Sequence, residues 1–416
     1  MSADLHKGHE NVIGQDLCRH WLSYPEDCLS FLRFTVEEFC DLTRIVHDVL
    51  RQHNDSLVKR YSTGARLACW LYRMGTGAHY GHCQHLAKVV WDNSREEGGL
   101  SSKNIFTNSR MLQRDIDRIS RAVIIGLAEY VRFPDLEELD KLRGSFGEEF
   151  PLHDIVYVVD CCHAPLWPLT SRQAQAPWYC FWKKQHSIKV LCACDWKGRI
   201  LYYDVHGQLP LSAVTSMRKP LTCRIPGEVY RPGSMNDQLH WTASSLAAYG
   251  SLGLLDPKRH RGMSDAGFKE KRLLMPLDKR GYAKLKASGG DVDYCTQTDR
   301  RISECRVVIE GVFGAMKNAW PLFRMKLHAL ANREEHGRQL QAAMHLFNFR
   351  CSHRRVWLRD IHWRAGQPEG HALWEVAMLK RVHQMGPIFP TSPLLDIHEG
   401  VAGQEVAEVG AESGYF

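Results

Sequence analysis

Between residues 30 and 135 the apolar positions recur at helical intervals. Phe39, Leu42, Ile45, Val46 and Val49 line one side of a helix. Ahead of them, Thr35-Val-Glu-Glu38 has the spacing of a capping box, in which hydroxyl and carboxylate each take an N–H that the first turn leaves unpaired. A second helix is predicted over Thr63 to Met74, stopped by Gly75-Thr-Gly77. A short helix near Gly81–Val90 follows. A long one begins around Thr107-Asn-Ser109 and carries Met111, Ile116, Ile119, Val123 and Leu127. Between these two, Asp92–Ser102 is polar and Gly-rich, an inserted surface loop. A short helix, a turn and a longer helix fit helix-turn-helix docking on DNA. The longer helix would present Ser109, Arg110, Gln113, Arg114 and Arg118 to a major groove. The plainer alternative is a helical bundle with a solvated basic face.

From about residue 153 the period shortens. Ile155–Asp160, Ser187–Cys194 and Arg199–Val205 read as strands, and Asp195-Trp-Lys-Gly198 between the last two reads as a hairpin turn. Asp195 is therefore taken as a turn residue rather than a ligand. A Pro-rich, irregular stretch runs from Gly207 to Pro232. Helical patterns return at Asn236–Tyr249, Ser303–Trp320 and about Glu334–Arg350, and the Gly/Ala/Glu-rich end, Gly400–Phe416, is expected to be disordered. This order of elements predicts an α/β chain, all-helical at first and sheet-centred afterwards.

Composition adds limits rather than detail. The 416 residues allow two or three domains, and 44% hydrophobic with 24% charged residues is an ordinary globular balance. A net charge of +7 permits a nucleic-acid partner without requiring one. No window is long and apolar enough to span a membrane, and the start has no signal-peptide pattern, so a membrane or secreted role is not expected. The 14 cysteines include no CxxC pair and are read as reduced thiols. His82, Cys83 and His85 invite a zinc reading, but no second cluster completes it.

Three acidic residues carry the candidate chemistry. Asp160 closes the apolar run Ile155-Val-Tyr-Val-Val159, Asp265 precedes the turn Ala266-Gly267, and Glu310 lies in a helical pattern. Such carboxylates can converge in space while distant in sequence. Three of them suit two hard divalent cations, and two cations suit in-line displacement at a phosphodiester. At 100° per residue Arg306, Glu310, Phe313, Gly314 and Lys317 share one sector of their helix, while Val308, Val312, Ala315 and Ala319 lie opposite and would pack on the sheet. Gly314 would leave room for a backbone or phosphate to approach. Taken alone, Arg306 and Glu310 could be a surface i,i+4 ion pair worth a few tenths of a kcal/mol.

The series of motifs resembles the PIF/Harbinger superfamily of DDE transposases and the Harbinger transposase-derived nucleases. Phe31-Leu-Arg33-Phe34-Thr35 with Phe39 is similar to the family's opening helix, and Leu71-Tyr-Arg-Met-Gly-Thr-Gly77 with Tyr80 to its entry into the helix-turn-helix. Val131-Arg-Phe-Pro134 resembles the segment before the catalytic domain. Tyr157-Val-Val-Asp160 stands where the family has its first catalytic Asp, and Lys183-Lys184-Gln-His186-Ser187 resembles the basic stretch leading to the second strand. Pro232-Gly-Ser-Met-Asn-Asp237 resembles a Pro-Gly-Ser-x-x-Asp motif, Ser264-Asp265-Ala-Gly-Phe268 the second acid, Arg306 to Lys317 the third, and Leu346-Phe-Asn348 a C-terminal helix motif.

The resemblance implies a ribonuclease-H-like mixed-sheet catalytic domain and two Mg²⁺, with Mn²⁺ able to substitute, held by Asp160, Asp265 and Glu310. Lys183, Lys184, Arg306 and Lys317 would neutralise DNA phosphates. Asp237 is read as a helix N-terminal residue near the site, with Gly267 and Gly314 structural beside it. The expected plan is an N-terminal arm at 1–29, a helical DNA-binding domain at 30–135, the nuclease domain at 153–325 with an insertion at about 207–231, a packing helix at 326–360 and a tail at 361–416. DNA, a Myb-like DNA-binding partner protein, a homo-oligomer and a nuclear location are expected. Two departures stand out. Asp160-Cys161-Cys162 replaces the family's Asp-Gly-Thr, and Lys258-Arg-His-Arg-Gly-Met263 is polar for a strand that leads to an acid. They keep open a domesticated, catalytically inactive DNA-binding protein.

Overall fold

The computed structural model describes residues 24–58, 62–78, 83, 109–149, 151–168, 178–205, 235–251, 255–256, 258–270, 272–324 and 333–356. The expected short helix near Gly81–Val90, the loop at Asp92–Ser102, the insertion and the tail lie almost wholly outside them.

The helical part begins as its pattern requires. Helix α1 (Val36–Gln52) starts at Thr35, whose hydroxyl accepts the Glu38 N–H while the Glu38 carboxylate accepts the Thr35 N–H, closing the capping box. Helix α2 (Thr63–Thr76) ends on Gly77 at φ 71°, a left-handed cap that glycine adopts without strain. Helix α3 (Ser109–Gly126) packs against both. Three buried polar contacts join them: Arg66 bonds Asp115 at 2.5 Å and Asp55 at 2.9 Å, and the Trp70 indole N–H donates to Ser120 Oγ at 2.8 Å. A short helix, α4 (Leu136–Leu142), leads to the sheet.

The sheet is mixed. Strands β1 (Ile155–Pro165), β3 (Gln185–Cys194) and β4 (Ile200–Asp204) are antiparallel neighbours in the order β4-β3-β1, while β5 (Arg261–Met263) and β6 (Leu273–Leu274) continue from β1 in parallel. The two-residue β2 (Tyr179–Cys180) forms a hairpin on the far end of β3. This is the mixed α/β architecture expected of a ribonuclease-H-like nuclease fold. Asp195 turns β3 into β4, its carboxylate accepting the Lys197 and Arg199 N–H groups at 2.9 Å, with Gly198 at φ 88°. β1 runs past Asp160 to Pro165, longer than its apolar stretch.

Two helices differ from their sequence patterns. Asn236–Tyr249 breaks into α5 (Asp237–Thr242) and α6 (Ser245–Ser251), because Ser244 bonds locally: its Oγ donates to the Trp241 carbonyl and accepts the Ala247 N–H. After α7 (Lys279–Ala287), α8 (Val292–Ala319) starts well before Ser303, since Asp291 caps it by accepting the Tyr294 N–H at 2.9 Å.

The final helix, α9 (Arg333–Arg354), ties the halves together. Asn348 takes the Ile200 N–H and donates to the carbonyls of Ile200 and Tyr130. Arg354 forms a buried pair with Glu38 at 2.6 Å. One apolar cluster runs without interruption from Phe39 and Leu67 through Val158 and Ile188 to Val312 and Phe347, so the helical segment and one face of the sheet share a core. A smaller cluster with Trp241, Phe268 and Tyr157 covers the other face. Among the described residues, no helix is long and apolar enough to cross a membrane.

Candidate active site

The parallel pairing of β1 with β5 sets the site. Val158 stands opposite Met263, and carrying that register two residues onward brings Asp160 level with Asp265. Alternation along β1 turns Val158, Cys162 and Ala164 toward the face covered by α8, and Asp160 shares their parity. From α8, Arg306 reaches both acids: its Nη2 lies 3.5 Å from Asp160 Oδ2 and 4.0 Å from Asp265 Oδ2. The surface pair with Glu310 is not what Arg306 makes. Its Nε is buried without a hydrogen-bond partner.

Each carboxylate is fixed locally. Asp160 Oδ1 accepts the Cys161 N–H at 2.6 Å, and Asp265 Oδ1 accepts the Gly267 N–H at 2.9 Å. A Cβ at Gly267 would stand 3.0 Å from Asp265 Oδ1 and 3.8 Å from Asp237 Oδ2, so glycine keeps the space between two carboxylates open. Asp237 is the first residue of α5 but not its cap: Asn236 accepts the Leu239 N–H. The Asp237 carboxylate instead meets Lys189 Nζ at 2.5 Å, and that ammonium also donates to the Met235 carbonyl at 2.6 Å. Asp237 thus belongs to the acidic cluster as well as to the helix start.

Burial pushes the Asp160 carboxyl up to about 7; Arg306 and the Cys161 N–H oppose the rise, and Asp265 and Asp237 add to it. The cluster is short of positive charge. Its hard oxygen donors fit a divalent ion of the magnesium or manganese type at Asp160 and Asp265. Among the described residues, no three His, Cys, Asp or Glu side chains already enclose one position for an ion. Glu310 lies exposed on α8 one turn beyond Arg306, about 6 Å along the axis. Phe313, which shares its angular sector, is buried instead.

The cysteines after Asp160 face opposite ways. Cys161 Sγ lies 4.0 Å from His240 Nδ1, whose Nε2 is 3.6 Å from Asp204 Oδ2. Burial drives the Cys161 thiol well above its usual range, and the Cys162 thiol up to about 12 with Lys317 opposing. Raised in this way, both thiols stay protonated at neutral pH.

The basic residues fall into distinct places. Lys183 and Lys184 are exposed on the β2–β3 turn, and Lys317 is half-buried near Cys162. On α3, Gln113 donates to Glu335 at 2.7 Å and Arg118 lies 3.9 Å from Asp55, while Arg114 is exposed. The Arg110 side chain lies outside the described residues, as do His82 and His85. Sequence reasoning missed Lys189 and His240. Lys189 had a signal, a charge inside the strand run Ser187-Ile-Lys-Val-Leu191. His240 had none.

A family model described as DDE superfamily endonuclease matches residues 226–348. The match supports a DDE transposase family. It covers Asp237, Asp265, Glu310 and Asn348; Asp160 lies ahead of it. A DDE nuclease domain implies DNA as substrate, and such domains generally use divalent metals. No curated protein and no solved structure matches the chain.

Proposed function

We propose that this chain is a divalent-metal-dependent DDE nuclease of the PIF/Harbinger type that cleaves DNA phosphodiesters; the same site could serve strand transfer of the freed 3′ end. The observation that carries this reading is the meeting of Asp160 and Asp265, from distant segments, at one guanidinium. In the proposal Asp160, Asp265 and Glu310 hold two Mg²⁺, or Mn²⁺ in their place. Bound there, the ions would acidify an attacking water or hydroxyl and stabilise the leaving oxygen.

The chain's own groups do the rest. The Cys161 N–H holds the Asp160 carboxylate in one orientation. Lys189 anchors Asp237 and keeps its charge beside the cluster rather than in solvent. Arg306 holds the two aspartates together and presents positive charge where a phosphate would arrive. Lys317, Lys183, Lys184 and Arg114 supply further cationic contacts to the DNA backbone. Arg110, Gln113 and Arg118 belong to the same proposed DNA-reading segment. A Myb-like DNA-binding partner protein, self-association and a nuclear location belong to this reading too.

The test is cleavage of supercoiled plasmid with and without Mg²⁺. Asp160→Asn is expected to abolish cleavage and to retain DNA binding in a gel-shift assay. Undiminished cleavage by that variant removes Asp160 from the reaction.

A second reading is a domesticated DNA-binding protein with an inert pocket. Cys161-Cys162 after Asp160, where the resembled family has Gly-Thr, favours it. Titrating Mn²⁺ against the melting temperature separates the two, because a working pocket gains ligand-linked stability and an inert one does not.

A further inference from the structure

The β2–β3 hairpin ends in Phe181, Trp182, Lys183 and Lys184, and the apolar pair points into solvent. Phe181 is 78% and Trp182 90% exposed, an arrangement that serves neither core. The two rings meet edge to face, 6.5 Å apart at 82°, and the indole stays open to solvent.

The tip is held out on a firm base. The turn closes with the Lys184 N–H on the Phe181 carbonyl at 3.3 Å, and Lys184 takes a left-handed φ of 49°. Below it, Tyr179 packs edge-on against His186 at 5.2 Å, and Cys180 is buried with its Sγ 3.9 Å from His163. The Leu166 N–H bonds the His186 carbonyl at 2.7 Å, so β1 still supports β3 there.

Charge indicates what the rings meet. No Asp or Glu stands between Asp160 and Asp195, while Arg172, Lys183, Lys184 and Lys189 do. Of these, Lys189 is committed to Asp237, and the two tip lysines are exposed. An acid-free, lysine-bearing, aromatic tip complements a polyanion that carries flat rings. Geometry locates it. Asp160 faces Cys192 on β3, and from Cys192 back to Lys184 the strand path is about 26 Å. A B-form duplex laid along that strand would cover the span in about eight base pairs. A paired base inside a duplex hides both faces in the stack, so the rings need a base that is unpaired or flipped.

We infer that the Phe181–Trp182 tip is a stacking platform for an unpaired nucleotide of DNA, about eight base pairs from the acidic cluster, with Lys183 and Lys184 on the flanking phosphates. This rests on DNA being what the chain acts on, and it adds where and how a distorted strand is held.

The test uses the full chain in EDTA, so that binding is read without cleavage. Fluorescence anisotropy would follow three labelled DNAs: a paired duplex, the same duplex with one unpaired nucleotide, and a single strand. The Phe181→Ala/Trp182→Ala variant is expected to bind the two unpaired DNAs about 10- to 100-fold more weakly and the duplex nearly as well as the native chain. Lys183→Ala/Lys184→Ala is expected to weaken all three and flatten the salt dependence. An unchanged melting curve establishes that the exposed substitutions leave the fold intact. Equal loss on all three DNAs, or no loss, overturns the inference. So does tip-dependent binding to phosphatidylserine vesicles with DNA binding unaltered, which would assign the tip to a membrane surface. Plasmid cleavage is scored separately: base discrimination without cleavage defeats only the nuclease reading, and cleavage without discrimination defeats only this one.

Discussion

Asp160 combines two requirements that oppose each other. Holding an ion wants a carboxylate, and the buried end of β1 resists one, which is why its carboxyl is pushed up to about 7. The folded state therefore binds a proton there more tightly than the unfolded chain does. Its contribution to stability is complete below the ordinary aspartate value near 4 and is lost as pH rises through about 7. Asp160→Asn removes that charge while keeping the shape. In EDTA at pH 8 the variant is expected to be more stable than the native chain by about 1–3 kcal/mol. Adding Mn²⁺ should reverse the order, since only the native chain gains from the ion. Melting curves with and without metal check both halves; a variant that is less stable in EDTA rules out strain at Asp160. The sequence showed Asp160 and Asp265 because one ends an apolar run and the other precedes a Gly turn. It could not show Lys189 reaching Asp237, since that pair depends on how α5 lies over β3.

Among the elements, β5 explains why a polar stretch can still be a strand. Lys258 to His260 lie before it, and their polarity is absorbed outside the sheet: Arg259 and His260 both bond Asp140, at 2.9 and 3.0 Å. Only Arg261, Gly262 and Met263 enter the ladder. The departure from an apolar pattern is thus a short strand with a satisfied approach, not a decayed one. Gly262 is the position that admits it. A Cβ there would lie 2.2 Å from Tyr157 Cε2 and 2.6 Å from Leu273 Cδ2, both on buried side chains. Gly262→Ala is expected to cost about 1–3 kcal/mol by overpacking. It should also lower DNA cleavage, because Asp265 follows two residues after β5. Denaturant midpoints and plasmid cleavage measured together check this, and a neutral substitution would mean that Tyr157 yields. Helix α8 was legible only in its buried half. Its first turns are mostly polar with little apolar face, so their mark was the cap at Asp291, which lies well ahead of any periodicity.

Across the whole molecule, the helical segment and the sheet are joined by α9, and His345 lies at that junction. Its Nδ1–H donates to the Leu127 carbonyl at 2.9 Å, and its Nε2 accepts the Tyr203 hydroxyl at 2.8 Å. With Tyr203 as the donor, the pair of bonds fits the neutral imidazole with its proton on Nδ1. Burial holds the ring's pKa down to about 4, with the bond to Leu127 opposing. Because the folded value is depressed, the stability this histidine contributes is fully present above about 6.5 and is lost as pH falls through about 4. Over that window the unfolded chain carries one more proton at this site, which corresponds to about 1.4 kcal/mol per pH unit and on the order of 3 kcal/mol in all. Asp160 acts in the opposite sense over much of the same range, so the net slope of the native chain understates the effect. Comparing the native chain with His345→Leu cancels the Asp160 contribution. The difference in their unfolding free energies, taken from urea curves at several pH values, should shrink by about one proton's worth of slope as pH falls from 6.5 to 4. A constant difference across that window would show that the folded ring takes up its second proton as readily as the unfolded chain does, and the junction between α9, α3 and β4 would then have to be held by a charged ring.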